Sequence, residues 1–302
     1  MALDVDRYFD RRRLTRALRF WRIAAIVAAV GVVAALAARF DSFPRASVAL
    51  LEVHGVIFDD TDRIEALDDL ADDPQVKALI VHIDSPGGTV VGGETLYLAL
   101  RRVAEKKPVV AVMAELATSA GYMVALGADR LVARQGTVTG SIGVLMQTTE
   151  VTGLLDKLGI TAETIKSAPL KATPNPLEKL TPEGRAAAEE IIQDMYGMFV
   201  DMVTERRNLD RDRALKLADG RVYTGRQAIA NGLIDEIGGE REARNWLAQT
   251  HNIDDRLPVS VVEIRRRTGL LEGLLDDLLG KALFSERLRL DGLISLWHPQ
   301  LH

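Results

Sequence analysis

Cysteine is absent from the 302 residues, which excludes disulfides and every chemistry that runs through a thiolate. It says nothing of compartment, because cysteine-free chains occur in all of them. Histidine is scarce: His54, His82, His251, His298 and His302 are the whole supply. No set of them reads as a metal site. His298 and His302 fall in the tail, and a lone histidine in a strand, such as His54 or His82, is more often a satisfied core group than a catalyst. Neither sign of charge dominates, and a formal net charge of −5 gives no pull toward nucleic acid. There is no Walker A sequence, and "SPGGTVVGG" does not fit the dinucleotide fingerprint. No metal, cofactor or nucleic-acid partner is expected.

What is present begins with a basic segment, "RRRLTRALRFWR", followed by an uncharged run, "IAAIVAAVGVVAALAA". With Phe20 and Trp21 the run approaches the roughly 20 residues that cross a bilayer, since Arg22 can snorkel to the interface. Trp21 and Phe40 stand at its ends, where interfacial aromatics belong. The pattern predicts a basic N-terminus over 1–22 and a transmembrane signal-anchor helix over 23–40. A cleaved signal peptide fits less well, because the basic region is long and "ALAARFDS" is a mediocre cleavage site. The arginine excess before the span predicts a cytoplasmic N-terminus, with everything after about residue 45 in the periplasm or outside the cell.

From "SVALLEVHGVI" onward, strand-like and helix-like stretches alternate. "VKALIVHID" reads as a buried strand that stops at the turn signal "SPGG". "TVVGGETLYLALRRVAEKK" reads as a helix, "PVVAVMA" as a strand, "SAGYMVALGA" as a helix and "RLVARQ" as a strand. "EVTGLLDKLGI" and "TAETIKS" add a helix and a strand, and a proline-rich loop, "APLKATPNPLEKL", leads to a long amphipathic helix capped by Thr181 with Pro182 at its first position. This order predicts an α/β domain with a mainly parallel sheet over 46–265. In such sheets, sites gather where strands end and helices begin. The tail, 266–302, aligns Leu270, Leu271, Leu274, Leu275, Leu278 and Leu279 on one helical face. It fits docking on its own domain as well as a subunit or membrane contact.

Two strand-to-helix junctions carry possible chemistry. In "ELATSAGYMVALGADR", Ser119 is either a helix N-cap or a nucleophile, and a serine hydroxyl is a poor nucleophile until a base takes its proton. In "DSPGG", Gly87 and Gly88 form a plain turn or bring amides close to a developing oxyanion. As a base, Lys171 is locally no better a candidate than Lys166 or Lys179.

Four stretches, "DSPGGTVVGGE", "ATSAGYMVALGADRLVA", "TVTGSIGV" and "ADGRVYTGRQAIANGLIDEIGG", resemble the signal peptide peptidase A family of membrane-anchored serine peptidases, peptidase family S49, in its short single-domain form. The resemblance runs from about Val48 to Gly239. It implies a ClpP/crotonase-like α/β fold and a Ser–Lys dyad. Ser119 matches the nucleophile, Lys171 in "IKSAPLK" the general base, Ser141 a serine that orients the lysine, and Gly87 and Gly88 the oxyanion element. Ala168 stands where the family usually has glycine. A lysine acting near neutral pH must lose roughly three units from its usual value near 10.4, which burial can provide. The resemblance further implies signal peptides or membrane-proximal segments as substrates, and a homo-oligomeric ring whose subunits complete each other's sites. A crotonase-type acyl-CoA enzyme and a non-catalytic membrane scaffold are the rival readings.

Overall fold

In the computed structural model the described residues are 18–32, 46–264 and the backbone of 293–296. The chain divides into two units, residues 1–45 and 46–302. In the first, residues 18–32 form helix α1. Its large apolar side chains, among them Trp21, Ile23, Ile26, Val27 and Val30, are exposed. Among the described residues no helix is long and apolar enough to cross a membrane. Residues 33–40 of the expected span lie outside them, as does the leucine-rich part of the tail.

The second unit runs β1 (Ser47–Ile57), α2 (Thr61–Asp72), β2 (Val76–Thr89), α3 (Val90–Ala104), β3 (Val109–Thr118), α4 (Ala120–Ala125), β4 (Arg130–Ala133), β5 (Val138–Gly140) and β6 (Leu145–Met146). It continues with α5 (Thr152–Lys157), α6 (Pro182–Arg207), α7 (Arg211–Leu217), β7 (Val222–Thr224), α8 (Gly225–Asn231), β8 (Glu236–Ile237), α9 (Glu240–His251), β9 (Val259–Val261) and β10 (Leu293–Leu296). The centre of the sheet is parallel in the order β9-β1-β2-β3-β4-β8. This is the mainly parallel α/β architecture expected from the alternating pattern.

The hydrophobic runs explain the layers. Leu79, Ile80 and Val81 of β2 are fully buried in succession, as strands covered on both faces must be. One face packs Leu79 and Val81 with Leu67 of α2, Leu96 and Leu100 of α3, Met123 of α4 and Phe199 of α6. The other packs Val48, Ile80, Val110 and Val132 under Ala243 and Leu247 of α9. Thr181 caps α6, its hydroxyl accepting from the Gly184 N–H at 3.1 Å, with Pro182 at the first turn as expected.

Three expectations need correction. "SPGG" does not end its strand: β2 continues to Thr89, because β1 keeps pairing with it, Val56 opposite Gly87 and Ile57 opposite Gly88, past a register shift. "TAETIKS" is not a strand but irregular chain. Ile165 there is 94% exposed, so no neighbouring edge offers the hydrogen bonds a strand needs. His54 and His82 are not core groups. His54 is exposed and His82 half-buried, and their rings lie 5.7 Å apart on adjacent strands.

Candidate active site

β3 ends at Thr118, α4 begins at Ala120, and Ser119 makes the junction alone. Its backbone sits at φ 56°, ψ −120°, and its side chain makes no capping hydrogen bond. Helix caps take extended backbone, so the N-cap reading fails. A non-glycine residue held there costs on the order of 1–3 kcal/mol and persists only when its surroundings over-determine it. They do: the Ser119 N–H donates to the Gly140 carbonyl at 2.8 Å, its carbonyl accepts from the Met123 N–H at 2.9 Å, and the residue is buried. The small residues of "TSAG" allow this tight junction, since a Cβ on Gly121 would lie 3.0 Å from the Ser85 carbonyl oxygen.

Ser141 lies beside it. β5 runs parallel to β3 with Gly140 opposite Thr118, so Ser119 and Ser141 leave adjacent strands at the same level. Ser141 also has a positive φ, 50°. Its N–H donates to the Arg221 carbonyl at 2.8 Å.

The tip of β2 forms the third part. Its last pair with β3 is Ser85 opposite Ala117, after which β3 turns into α4 and one edge of β2 is released. At Gly88 a Cβ would meet the Ile57 carbonyl oxygen at 1.8 Å, so only glycine fits against β1. The two glycine amides are not equivalent. The Gly87 N–H donates to the Ser85 hydroxyl at 3.1 Å, and that hydroxyl donates to the Gly55 carbonyl at 2.6 Å. The Gly87 amide of the expected oxyanion pair is therefore engaged elsewhere, while Gly88 lies paired between Ile57 of β1 and Ser295 of β10. The Thr118 hydroxyl donates to the Pro86 carbonyl at 3.0 Å and ties the nucleophile strand to this tip. Ser85 and Thr118 are both fully buried; Thr118 stood in the sequence as an alternative to Ser119 for cap or nucleophile, whereas Ser85 was missed by sequence reasoning. A hydroxyl beside Pro-Gly-Gly reads as an ordinary turn residue, and burial was the signal that could have separated it.

The released edge of β2 is occupied. β10 pairs antiparallel with it, Ile294 opposite Thr89, Ser295 opposite Gly88 and Leu296 opposite Gly87. On its other side β10 pairs antiparallel with β6. A backbone strand thus lies between the β2 tip and β6.

Behind the junction α4 is anchored. The buried Tyr122 hydroxyl donates to the Leu233 carbonyl at 2.7 Å, and burial pushes this phenol well up. Arg206 of α6 donates to the carbonyls of Leu126 and Ala128, each at 3.0 Å. Arg207 grips Asp235 through two bonds, 2.6 and 3.1 Å, and the Gly232 carbonyl at 2.9 Å.

The lysines stand apart. Lys171 is exposed on the irregular segment before α6, and its N–H donates to the Ala168 carbonyl at 3.1 Å. The dry surroundings expected for it are not supplied within one chain. Lys166 is ion-paired with Glu178, whose carboxyl is held below the usual range by the hydrogen bonds from Lys166 and Asn175. The structure therefore brings Ser119, Ser141, Gly87 and Gly88 together and leaves Lys171 at the surface.

The family model of peptidase family S49 matches residues 101–254. The chain is 37% identical over 238 residues to slr0021 of Synechocystis sp., whose name assigns it provisionally to the proteases; the match covers 76% of this chain and 86% of that protein. It is 34% identical over 235 residues to the chloroplastic serine protease SPPA of Arabidopsis thaliana, covering 76% of this chain but only 34% of that longer protein. Among solved structures, a mutant of the membrane-bound stomatin-specific protease 1510-N aligns over 72% of this chain and 98% of that one, with TM-score 0.48 and 16% identity. Similarity across most of the length of slr0021, together with the matched family model, places this chain in peptidase family S49, as a serine peptidase.

Proposed function

We propose that the chain is a membrane-anchored endopeptidase that cleaves extended apolar peptides, such as signal-peptide remnants, outside the cytoplasm. Ser119 is the nucleophile and Lys171 the general base. The observation that carries this reading is the backbone of Ser119, strained, buried and relieved of any capping duty at a strand-to-helix junction. Such elbows present a hydroxyl to a substrate carbonyl.

In the first step the neutral Lys171 amine takes the Ser119 proton while Oγ bonds to the peptide carbonyl carbon. The negative oxygen is stabilised by the Gly88 amide, joined by that of Gly87 when it exchanges its Ser85 partner. Collapse of the tetrahedral species breaks the C–N bond, and the Lys171 ammonium gives its proton to the leaving amine. Water then attacks the acyl-serine, Lys171 takes a water proton, and the proton returns to Ser119 as the acid leaves. Ser141, on the adjacent strand, orients the amine.

Lys171 comes from a neighbouring subunit. In support, the segment between β5 and α6 exposes Leu145, Leu154, Leu158, Ile160, Ile165, Leu170 and Leu177, and α5 buries nothing. Apolar side chains in that number need a cover, and a second copy in a homo-oligomeric ring supplies it. β10 supports the mode of substrate binding: an antiparallel strand fits between the β2 tip and β6, as an extended peptide would. The all-round apolar, exposed α1 supports the anchor. Arginine at 11, 12, 13, 16, 19 and 22, and no charge from Ile23 to Ala38, supports an N-terminus in the cytoplasm.

A serine-directed fluorophosphonate is expected to label the wild-type protein and not Ser119→Ala. Equal labelling of both overturns the assignment. A topology reporter joined near residue 250 is expected to read outside the cytoplasm, and a cytoplasmic signal would overturn the proposed location.

A further inference from the structure

Residues 159–180, which carry Lys171, have little reason to hold one shape: no strand pairs with them, and most of them are exposed. One polar cluster opposes this looseness. Lys166 keeps only 13% of its side chain exposed and pairs with Glu178. Its ammonium also lies 3.5 Å from the Thr173 hydroxyl. Glu178 accepts a second bond, 3.0 Å, from the Asn175 side-chain amide. The same amide nitrogen donates to the Ala172 carbonyl at 2.9 Å, while the Asn175 side-chain oxygen accepts from the Leu177 N–H at 2.9 Å.

These bonds converge on the two residues that follow Lys171. Ala172 has φ 57°, a region alanine enters only at a cost, and the carbonyl that Asn175 holds belongs to it. Thr173 lies beside Lys166 and packs on the first turn of α6, where Gly184 leaves the space: a Cβ there would come within 2.5 Å of the Thr173 methyl. On the other side of Lys171, the Ala168 turn is closed by the lysine's own N–H. An exposed ion pair is worth little for stability. This one is mostly buried on the lysine side, reaches the Thr173 hydroxyl and holds the Asn175 amide that bonds the Ala172 carbonyl, which suits geometry better than stability.

We propose that Lys166, Glu178 and Asn175 form a positioning clamp that fixes the turn from Ala168 to Thr173 and so aims the Lys171 amine at the serine of the site it serves. The proposal rests on Lys171 being the base. The clamp residues touch no substrate and act through that turn. Misplacing a catalytic group by about 1 Å can cost 10²-fold in rate, so loss of the clamp falls on kcat and leaves KM nearly alone.

The test uses the full-length protein in detergent with a fluorogenic peptide. Glu178→Gln and Lys166→Met are each expected to lower kcat by about 10- to 100-fold, to change KM by less than about twofold, and to slow fluorophosphonate labelling of Ser119 as much as kcat. The charge swap, Lys166→Glu with Glu178→Lys, is expected to recover part of the loss, since it restores the ion pair but not the bond that Glu178 accepts from Asn175. Gly184→Ala, which displaces Thr173 without touching a charge, is expected to lower kcat in the same way. Wild-type kcat in both single variants overturns the clamp, as does a swap no better than either single variant or a loss that follows melting temperature. Lys171→Met separates the two readings: if it stays active, the base assignment fails, whereas an inactive Lys171→Met beside unaffected clamp variants refutes the clamp alone.

Discussion

Gly88→Ala puts one methyl group where the β2 tip meets β1. The new Cβ would stand 1.8 Å from the Ile57 carbonyl oxygen and 2.6 Å from both the Ile57 carbon and nitrogen. All three are backbone atoms, so no side chain can swing away. Contacts under 3.0 Å are essentially never seen for a real Cβ, so the two strands must part by at least the difference, 3.0 − 1.8 = 1.2 Å. Overpacking of this kind costs about 1–3 kcal/mol, which lowers the melting temperature without unfolding a domain whose sheet is held elsewhere. The consequence for the site is larger. The Gly88 amide rides on the displaced backbone, and a shift of about 1 Å in an oxyanion donor removes roughly 10²-fold in rate. Steady-state cleavage of a fluorogenic peptide by the full-length variant is therefore expected to show kcat about 100-fold down with a folded circular dichroism spectrum. Gly136→Ala is the control, because nothing lies within 4 Å of the added Cβ there. A folded Gly88→Ala variant with kcat within about twofold of wild type would remove the β2 tip from the catalytic machinery and with it the reading of β10 as a substrate-like strand.

Four other outcomes are expected. Removing residues 291–302 clears β10 from the β2 tip and should raise kcat/KM for short peptides; a fall would make the tail part of the groove wall. Ser119→Ala and Lys171→Ala proteins, each inactive, should recover about a quarter of wild-type activity when co-assembled, since a shared site draws each intact residue from a different subunit; no recovery would place both residues in one chain. Arg207→Ala leaves Asp235 without its partner in a site where the two side chains are 9% and 24% exposed. It should destabilise the domain by roughly 2–4 kcal/mol, somewhat less than for a fully buried pair, with the double variant Arg207→Ala/Asp235→Ala less harmful than the sum by urea unfolding. The Glu242 carboxyl is held below its usual range by the Gly239 N–H, then by Arg241. Its stabilisation of the α9 start is thus complete above the unfolded carboxylate value, about 4.3, and is lost as pH falls through the depressed folded value. Acid unfolding of Glu242→Gln should show a shallower pH dependence over that window, and an unchanged curve would refute the linkage.

Much of the sheet was legible because its strands are buried on both faces and so appear as unbroken apolar runs: "VKALIVHI" and "PVVAVMA" are β2 and β3 in the sequence itself. The error at "SPGG" has a physical source. Pro-Gly-Gly has the same local preferences in a turn and in a bent strand, and only the pairing with Val56 and Ile57, about thirty residues away, decides between them. "TAETIKS" failed in the opposite sense, having strand composition but no edge to pair with. Of the site, Ser119 was visible through the small residues crowded around it, Gly87 and Gly88 through the turn signal at a strand end, and Ser141 through resemblance to a family. Lys171 was visible only that way. The structure adds a distinction the sequence lacked, because Lys166, an equal candidate by local sequence, is taken by Glu178. β10 was not legible at all, since "LISL" is four residues whose role depends wholly on the edge they meet.

The two halves of the proposed site are built to different standards, and the energies suggest why. The serine half is over-determined, with Ser119 buried and its N–H and carbonyl both engaged. The lysine half is irregular chain held by its clamp and by Thr173 packed on α6, and Lys171 is exposed. A lysine that must fall by roughly three pKa units to act as a base needs about 4 kcal/mol of differential desolvation, at 1.36 kcal/mol per unit. A solvated loop cannot supply that. The seven apolar side chains exposed between β5 and α6 offer a surface for such cover: each contributes on the order of 1.5–3 kcal/mol when fully buried. On this reasoning the contact that assembles the ring is the same event that dries the lysine. In the proposed mechanism a lone chain carries only the strained serine half of the site, and a neighbour completes it.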